Sequence, residues 1–220
     1  MMALQKEINE IHIVTKYIDT LLTTGKPPKS IYVFSQELAI EESEFYTYFS
    51  SFDYLEERIF TLFFENAISV LEKNEDFGQY DAKNKVLSLY FTYIEILTAN
   101  RSYVLLALKG FGKSFEHAKK LKGLKKVFGN FTKTLHIDKI NIEQEILEKL
   151  QDKGIKEGFW LQFLMIMKYW MEDTSSSFEK TDLFIEKSVQ ASFDVLQTKP
   201  AKSIIDLGKF LLKERMNFKM

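Results

Sequence analysis

Few residues in this 220-residue chain carry the chemistry of a catalyst. Cysteine is absent, which removes thiolate nucleophiles, disulfides, iron–sulfur clusters and cysteine zinc sites together. The three histidines, His12, His117 and His136, are scattered and show no metal-ligand spacing. Gly110-Phe-Gly-Lys113 has glycines near a lysine, but no strand precedes it and the spacing of a phosphate loop is missing, so it reads as a hinge. No carboxylate pair stands out among 31 acids. The expectation is a protein that is not an enzyme and needs no cofactor or metal.

The residue types that do cluster suit binding. Phe45, Tyr46, Tyr48 and Phe49 crowd one short segment, and Tyr46, Thr47 and Tyr48 carry hydroxyls there. Lys26, Lys29 and Ser30 precede it. A second aromatic set includes Tyr90, Tyr103, Phe163, Met167 and Trp170. Met and aromatics at helical spacing build cores, and they also line adaptable apolar pockets. The set therefore suggests a hydrophobic small molecule or lipid as ligand.

Composition limits the scaffold. With 45% apolar residues, only 9 Gly and 3 Pro, the chain has material for a core and little for a turn-rich β fold. A net charge of −1 excludes a protein that coats nucleic acid non-specifically. No uncharged apolar run reaches the roughly 20 residues of a bilayer span, and the N-terminus lacks the pattern of a signal peptide, so a cytoplasmic protein is expected.

Apolar spacing predicts helices throughout. They fall at about 4–24, 30–38, 42–49, 53–72, 82–99, 101–109 and 113–135. A charged helix over 141–153 is expected to close at Gly154. Two strong helices follow at about 155–173 and 179–197, the second capped by Ser or Glu near 177–179. Ser30 and Asp81 read as N-caps, and 74–81 as a loop. The fold class is all-α. Three regions are expected: 1–52, three short helices; 53–198, a larger helical domain; and 199–220, a basic amphipathic helix.

Three short helices with a tight turn between the second and third make a helix-turn-helix arrangement. The run of Phe45, Tyr46, Tyr48, Phe49, Ser51, Asp53 and Leu55 resembles the signature of TetR-family transcriptional regulators. Ile18, Leu21, Leu22 and Gly25 match the family's first helix and its closing glycine, and Ser30 matches the residue that opens the second. The resemblance covers about residues 8–60. It implies a TetR-like fold, with an N-terminal unit that reads double-stranded DNA and a C-terminal ligand-binding and dimerisation domain. The homodimer would form through about 155–197.

Charge departs from that pattern. From Ser30 to Asp53 there are five acids, Glu37, Glu41, Glu42, Glu44 and Asp53, and no Lys or Arg. The family's phosphate-contacting lysine is Phe52 here. Two readings follow. In one, the chain is a ligand-responsive regulator that contacts DNA through Lys26, Lys29, Ser30, Tyr46, Thr47 and Tyr48, with Glu42 or Glu44 accepting from cytosine. In the other, the helix-turn-helix survives only as packing, and the protein is a lipid- or isoprenoid-binding accessory protein. The tail would then meet a membrane surface through Lys202, Lys209, Lys213 and Arg215. Residues 113–135, rich in lysine, read chiefly as one apolar face opposite a solvated one.

Overall fold

The computed structural model describes residues 8–110, 119–137 and 145–196, and every regular element among them is helical. Asn9 opens α1 (Glu10–Thr24) by accepting from His12 N, and Gly25 closes it in the left-handed region at φ 69°. Ser30 caps α2 (Ile31–Leu38), its side chain accepting from Val33 N at 3.2 Å. α3 (Glu42–Tyr48) follows after one turn, and α4 (Phe52–Glu72) starts on Ser51, whose hydroxyl accepts from Tyr54 N. A short 3-10 segment, Glu75–Gln79, occupies the expected loop. Asp81 then caps α5 (Ala82–Ala99) through Asn84 N at 2.7 Å. α6 (Arg101–Ala107), α7 (Lys122–Thr134), α8 (Glu145–Glu172) and α9 (Glu179–Leu196) complete the described chain.

Two readings of helix ends are corrected. The charged helix does not close at Gly154; α8 runs through it as one 28-residue helix. A mid-helix glycine costs about 1 kcal/mol against alanine. Burial of Phe159, Phe163, Ile166 and Trp170 further along the same helix outweighs that cost. The other correction is the start of α9. Its cap is Asp173, nine-tenths buried, rather than Ser177 or Glu179. The Asp173 carboxylate accepts from Thr181 N and Oγ1 and from Ser175 N and Oγ. The Thr181 hydroxyl foremost, with the Ser175 groups, holds that carboxyl well below the usual range despite its burial.

The described residues form two compact units. The first holds residues up to Glu65 and from Ile96 to Leu124. Its core is aromatic: Tyr17, Phe34, Phe45, Phe49 and Phe60 are fully or almost fully buried, and α6 packs on α1. The second holds Asn66–Glu95 and the described residues from Lys125 onward. There α8 and α9 pack on each other around Phe163, Met167, Trp170, Ile185 and Val189.

Candidate functional site

The turn between α2 and α3 is built from local bonds. Ala39 adopts the left-handed region at φ 56°, which lets Ala39 N reach Gln36 O and Ile40 N reach Ser35 O. Glu44 then turns back to accept from Glu41 N at 3.3 Å, so α3 starts on its own acidic first turn. Acids suit that positive helix end.

Aromatic rings fix the four helices around this turn. Phe34 and Phe45 meet edge to face at 6.2 Å. Phe52 lies 5.7 Å from each of them and 5.4 Å from Tyr17. The departure at residue 52 thus has a packing reason: the half-buried ring joins α1, α2, α3 and α4, ring contacts that a lysine side chain would not make.

Behind the rings lies a polar network. Tyr17, with no exposed surface, donates its hydroxyl to Glu56 at 2.7 Å. Lys120 pairs with the same carboxylate at 2.8 Å and also donates to Ala107 O. Burial first, then the hydrogen bond to Glu56, pushes the Tyr17 phenol far up, so it stays a donor. On the outer side Arg58 donates to Glu10 and to Glu65, both at 2.8 Å, tying α1 to α4. Burial would lower that guanidinium, but its two carboxylate partners outweigh it and its pKa rises.

The sequence-selected DNA residues separate by what their polar atoms do. Ser30 is the α2 cap, and Glu44, in the first turn of α3, accepts from the backbone N–H of the N-cap Glu41. Tyr48 donates to Ile8 O at 2.9 Å and so holds the start of the described chain against α3. Tyr46, half exposed, donates to Glu42 at 3.0 Å, a bond that raises its phenol pKa. Thr47 donates back to Ser43 O. Lys26 and Lys29 lie exposed in the connection before α2.

The aromatic ligand set is divided between the units. In the second, Tyr90 stacks on Phe163 at 5.3 Å, and Phe128 stacks on Phe163 at 4.8 Å. The buried Tyr90 hydroxyl shares its proton between Phe159 O and Gln162 Oε1, each 3.2 Å away. Met167 and Trp170 are fully buried in that unit. Tyr103 belongs to the first unit, packed on Phe60 and Phe63. Its hydroxyl is buried with no hydrogen-bond partner among the described residues. Lys202, Lys209, Lys213 and Arg215, with all of 199–220, lie outside the described residues.

Sequence reasoning missed Glu56, Lys120, Arg58 and Asp173. Only Asp173, eight residues before Thr181 and just after a helix, carried a local signal. Among the described residues no cluster of His, Asp or Glu could hold a metal, and no helix is long and apolar enough to cross a membrane.

The described residues are all-helical, with a two-helix turn in the first unit and a helical second unit. Residues 85–211, more than half the chain, match the family model described as "Tetracyclin repressor-like, C-terminal domain". The chain belongs to this TetR-like family. A search of curated proteins gave no match.

Proposed function

We propose that the protein is a ligand-responsive transcriptional regulator that binds double-stranded DNA as a homodimer in the cytoplasm. The observation that carries this reading is the α2–α3 turn: four packed rings brace it, while Tyr46 and Thr47 on α3 remain exposed. A recognition helix needs that combination of a fixed base and a free outer face. Lys26 and Lys29 supply phosphate contacts, and Ser30 places the N-terminus of α2 toward the backbone. Tyr46, Thr47 and Tyr48 face the groove, and Glu42 or Glu44 accepts from cytosine N4.

Dimerisation through about 155–197 draws support from exposed apolar side chains. Leu161, Met165 and Tyr169 recur every fourth residue along α8, and Leu183 and Val195 are exposed on α9. One helical face left apolar in water suits a second copy of itself. The effector is a hydrophobic small molecule. Met167 and Trp170, with Tyr90 and Phe163, supply the apolar wall of its site within the second unit. The rings are packed together, so the effector binds by favouring an opened arrangement, and that arrangement opposes DNA binding.

The test is Tyr46→Ala against the selected operator. Loss of a base-edge contact should weaken binding about tenfold or more; unchanged affinity removes Tyr46 from the interface.

A second reading rests on the acidity of α3. With no basic residue from Ser30 to Asp53 and with Tyr46 tied to Glu42, a lipid- or isoprenoid-binding accessory protein that no longer touches DNA fits the same fold. Its tail would reach an anionic membrane through Lys202, Lys209, Lys213 and Arg215. Deleting 201–220 should then abolish binding to anionic vesicles, and unchanged vesicle binding rejects this reading.

A further inference from the structure

The second unit contains a half-open cavity of about 300 Å³ that none of the aromatic ligand-set residues lines. That volume is at the lower end of small-molecule sites, which run about 300–1,000 Å³. The cap and first turn of α5 contribute Asp81, Ala82 and Lys83, the segment after α7 contributes His136 and Ile137, and the end of the described α9 contributes Gln190, Phe193, Asp194 and Leu196.

Its polar atoms form an ordered chain. Lys83 Nζ donates to Gln190 Oε1, and Gln190 Nε2 donates to Asp194 Oδ1 at 2.6 Å. One amide therefore separates a full positive charge from a full negative one. Among the described residues neither charge has an ion-pair partner of opposite sign. The ammonium keeps two donor hydrogens, and the carboxylate keeps an oxygen free. Nor does helix stability explain the lysine. A cation in the first turn of α5 opposes the helix dipole. Ala82, Ile137, Phe193 and Leu196 supply an apolar wall beside this polar chain.

We propose that the cavity binds a small zwitterion, an α-amino acid with an apolar side chain. Its carboxylate pairs with Lys83, its ammonium pairs with Asp194, and its side chain lies on Phe193, Ile137 and Leu196. His136 stands at the cavity as a further donor. The proposal rests on the cavity alone and holds whether or not the protein binds DNA.

Calorimetric titration of the full chain with L-leucine and L-phenylalanine tests it, alongside two half-probes of leucine. 4-Methylpentanoate lacks the ammonium, and 3-methylbutylamine lacks the carboxylate. Saturable binding is expected for at least one amino acid, with each half-probe at least about tenfold weaker, as loss of one charge-assisted bond requires. Lys83→Met should weaken the amino acid and 4-methylpentanoate but spare 3-methylbutylamine. Asp194→Asn should show the reverse pattern. Both residues lie at the surface, and unchanged circular dichroism verifies that the variants fold. No saturable binding of either amino acid, half-probes equal to the parent, or both variants losing both half-probes alike would overturn the proposal.

Discussion

Replacing Tyr17 by Phe removes one oxygen from a network that ties α1 to α4. The hydroxyl donates to Glu56 at 2.7 Å, the Tyr17 side chain has no exposed surface, and the Glu56 side chain is 14% exposed. A hydrogen bond to a charged group contributes about 1.5–3 kcal/mol. Glu56 retains Lys120 at 2.8 Å, so the lower end applies, about 1.5 kcal/mol. In a chain of this length that lowers the melting midpoint by about 3–6 °C. Glu56→Gln keeps an acceptor for Tyr17 but leaves Lys120 without its carboxylate partner. It should cost about 2 kcal/mol, between a surface pair and a fully buried one. In the Glu56→Gln background the Tyr17→Phe change should cost only about half as much, because a neutral acceptor replaces a charged one. Urea denaturation followed by circular dichroism on the four proteins reads this cycle. A Tyr17→Phe cost within about 0.3 kcal/mol of zero, or strict additivity, would refute the reasoning.

Glycine positions offer a paired test. A Cβ at Gly154 meets nothing within 4 Å, so Gly154→Ala should stabilise α8 by about 0.5–1 kcal/mol, whereas a Cβ at Gly123 falls 2.5 Å from Thr61 Oγ1, so Gly123→Ala should destabilise; thermal melts of both decide. Burial raises the phenols of Tyr17, Tyr90, Tyr93 and Tyr103 above their ordinary value of 10. The stability they confer is complete below pH 10 and falls as pH rises beyond it, by about 1.4 kcal/mol per pH unit for each tyrosine; an alkaline denaturation series should therefore show a steep loss above pH 10, and a flat profile to pH 12 would contradict it. Leu161→Glu, at a side chain 59% exposed on α8, should convert the proposed dimer to a monomer in sedimentation analysis without loss of helix, and an unaltered dimer would place the interface elsewhere.

Some of this architecture is written locally. Ser30 and Asp81 announce their helices because a cap acts on amides two or three residues away. The apolar periods of α4 and α9 likewise need no distant partner to be read. Gly154 misled because local propensity takes no account of the buried residues further along the helix, which hold it continuous. Phe52 showed itself as a departure from a family pattern, yet its reason, three rings from three other helices, is tertiary. The Tyr17–Glu56–Lys120 network joins residues far apart in sequence, and nothing in their types marks them as partners. The aromatic set was visible as apolar spacing, but spacing does not say that Tyr103 packs in one unit while Tyr90, Phe163, Met167 and Trp170 pack in the other. The charge chain Lys83–Gln190–Asp194 contains one local step, Gln190 to Asp194, and one that spans the unit.

The proposed function turns on whether a helix-turn-helix with an acidic α3 reads DNA. Selection of genomic fragments by the purified protein at low salt, after solvent extraction of bound ligand, tests this most directly. The account predicts enrichment of a palindromic site with half-sites about one helical turn apart, and affinity that falls as salt rises. No enrichment by protein shown to be folded and dimeric would contradict it.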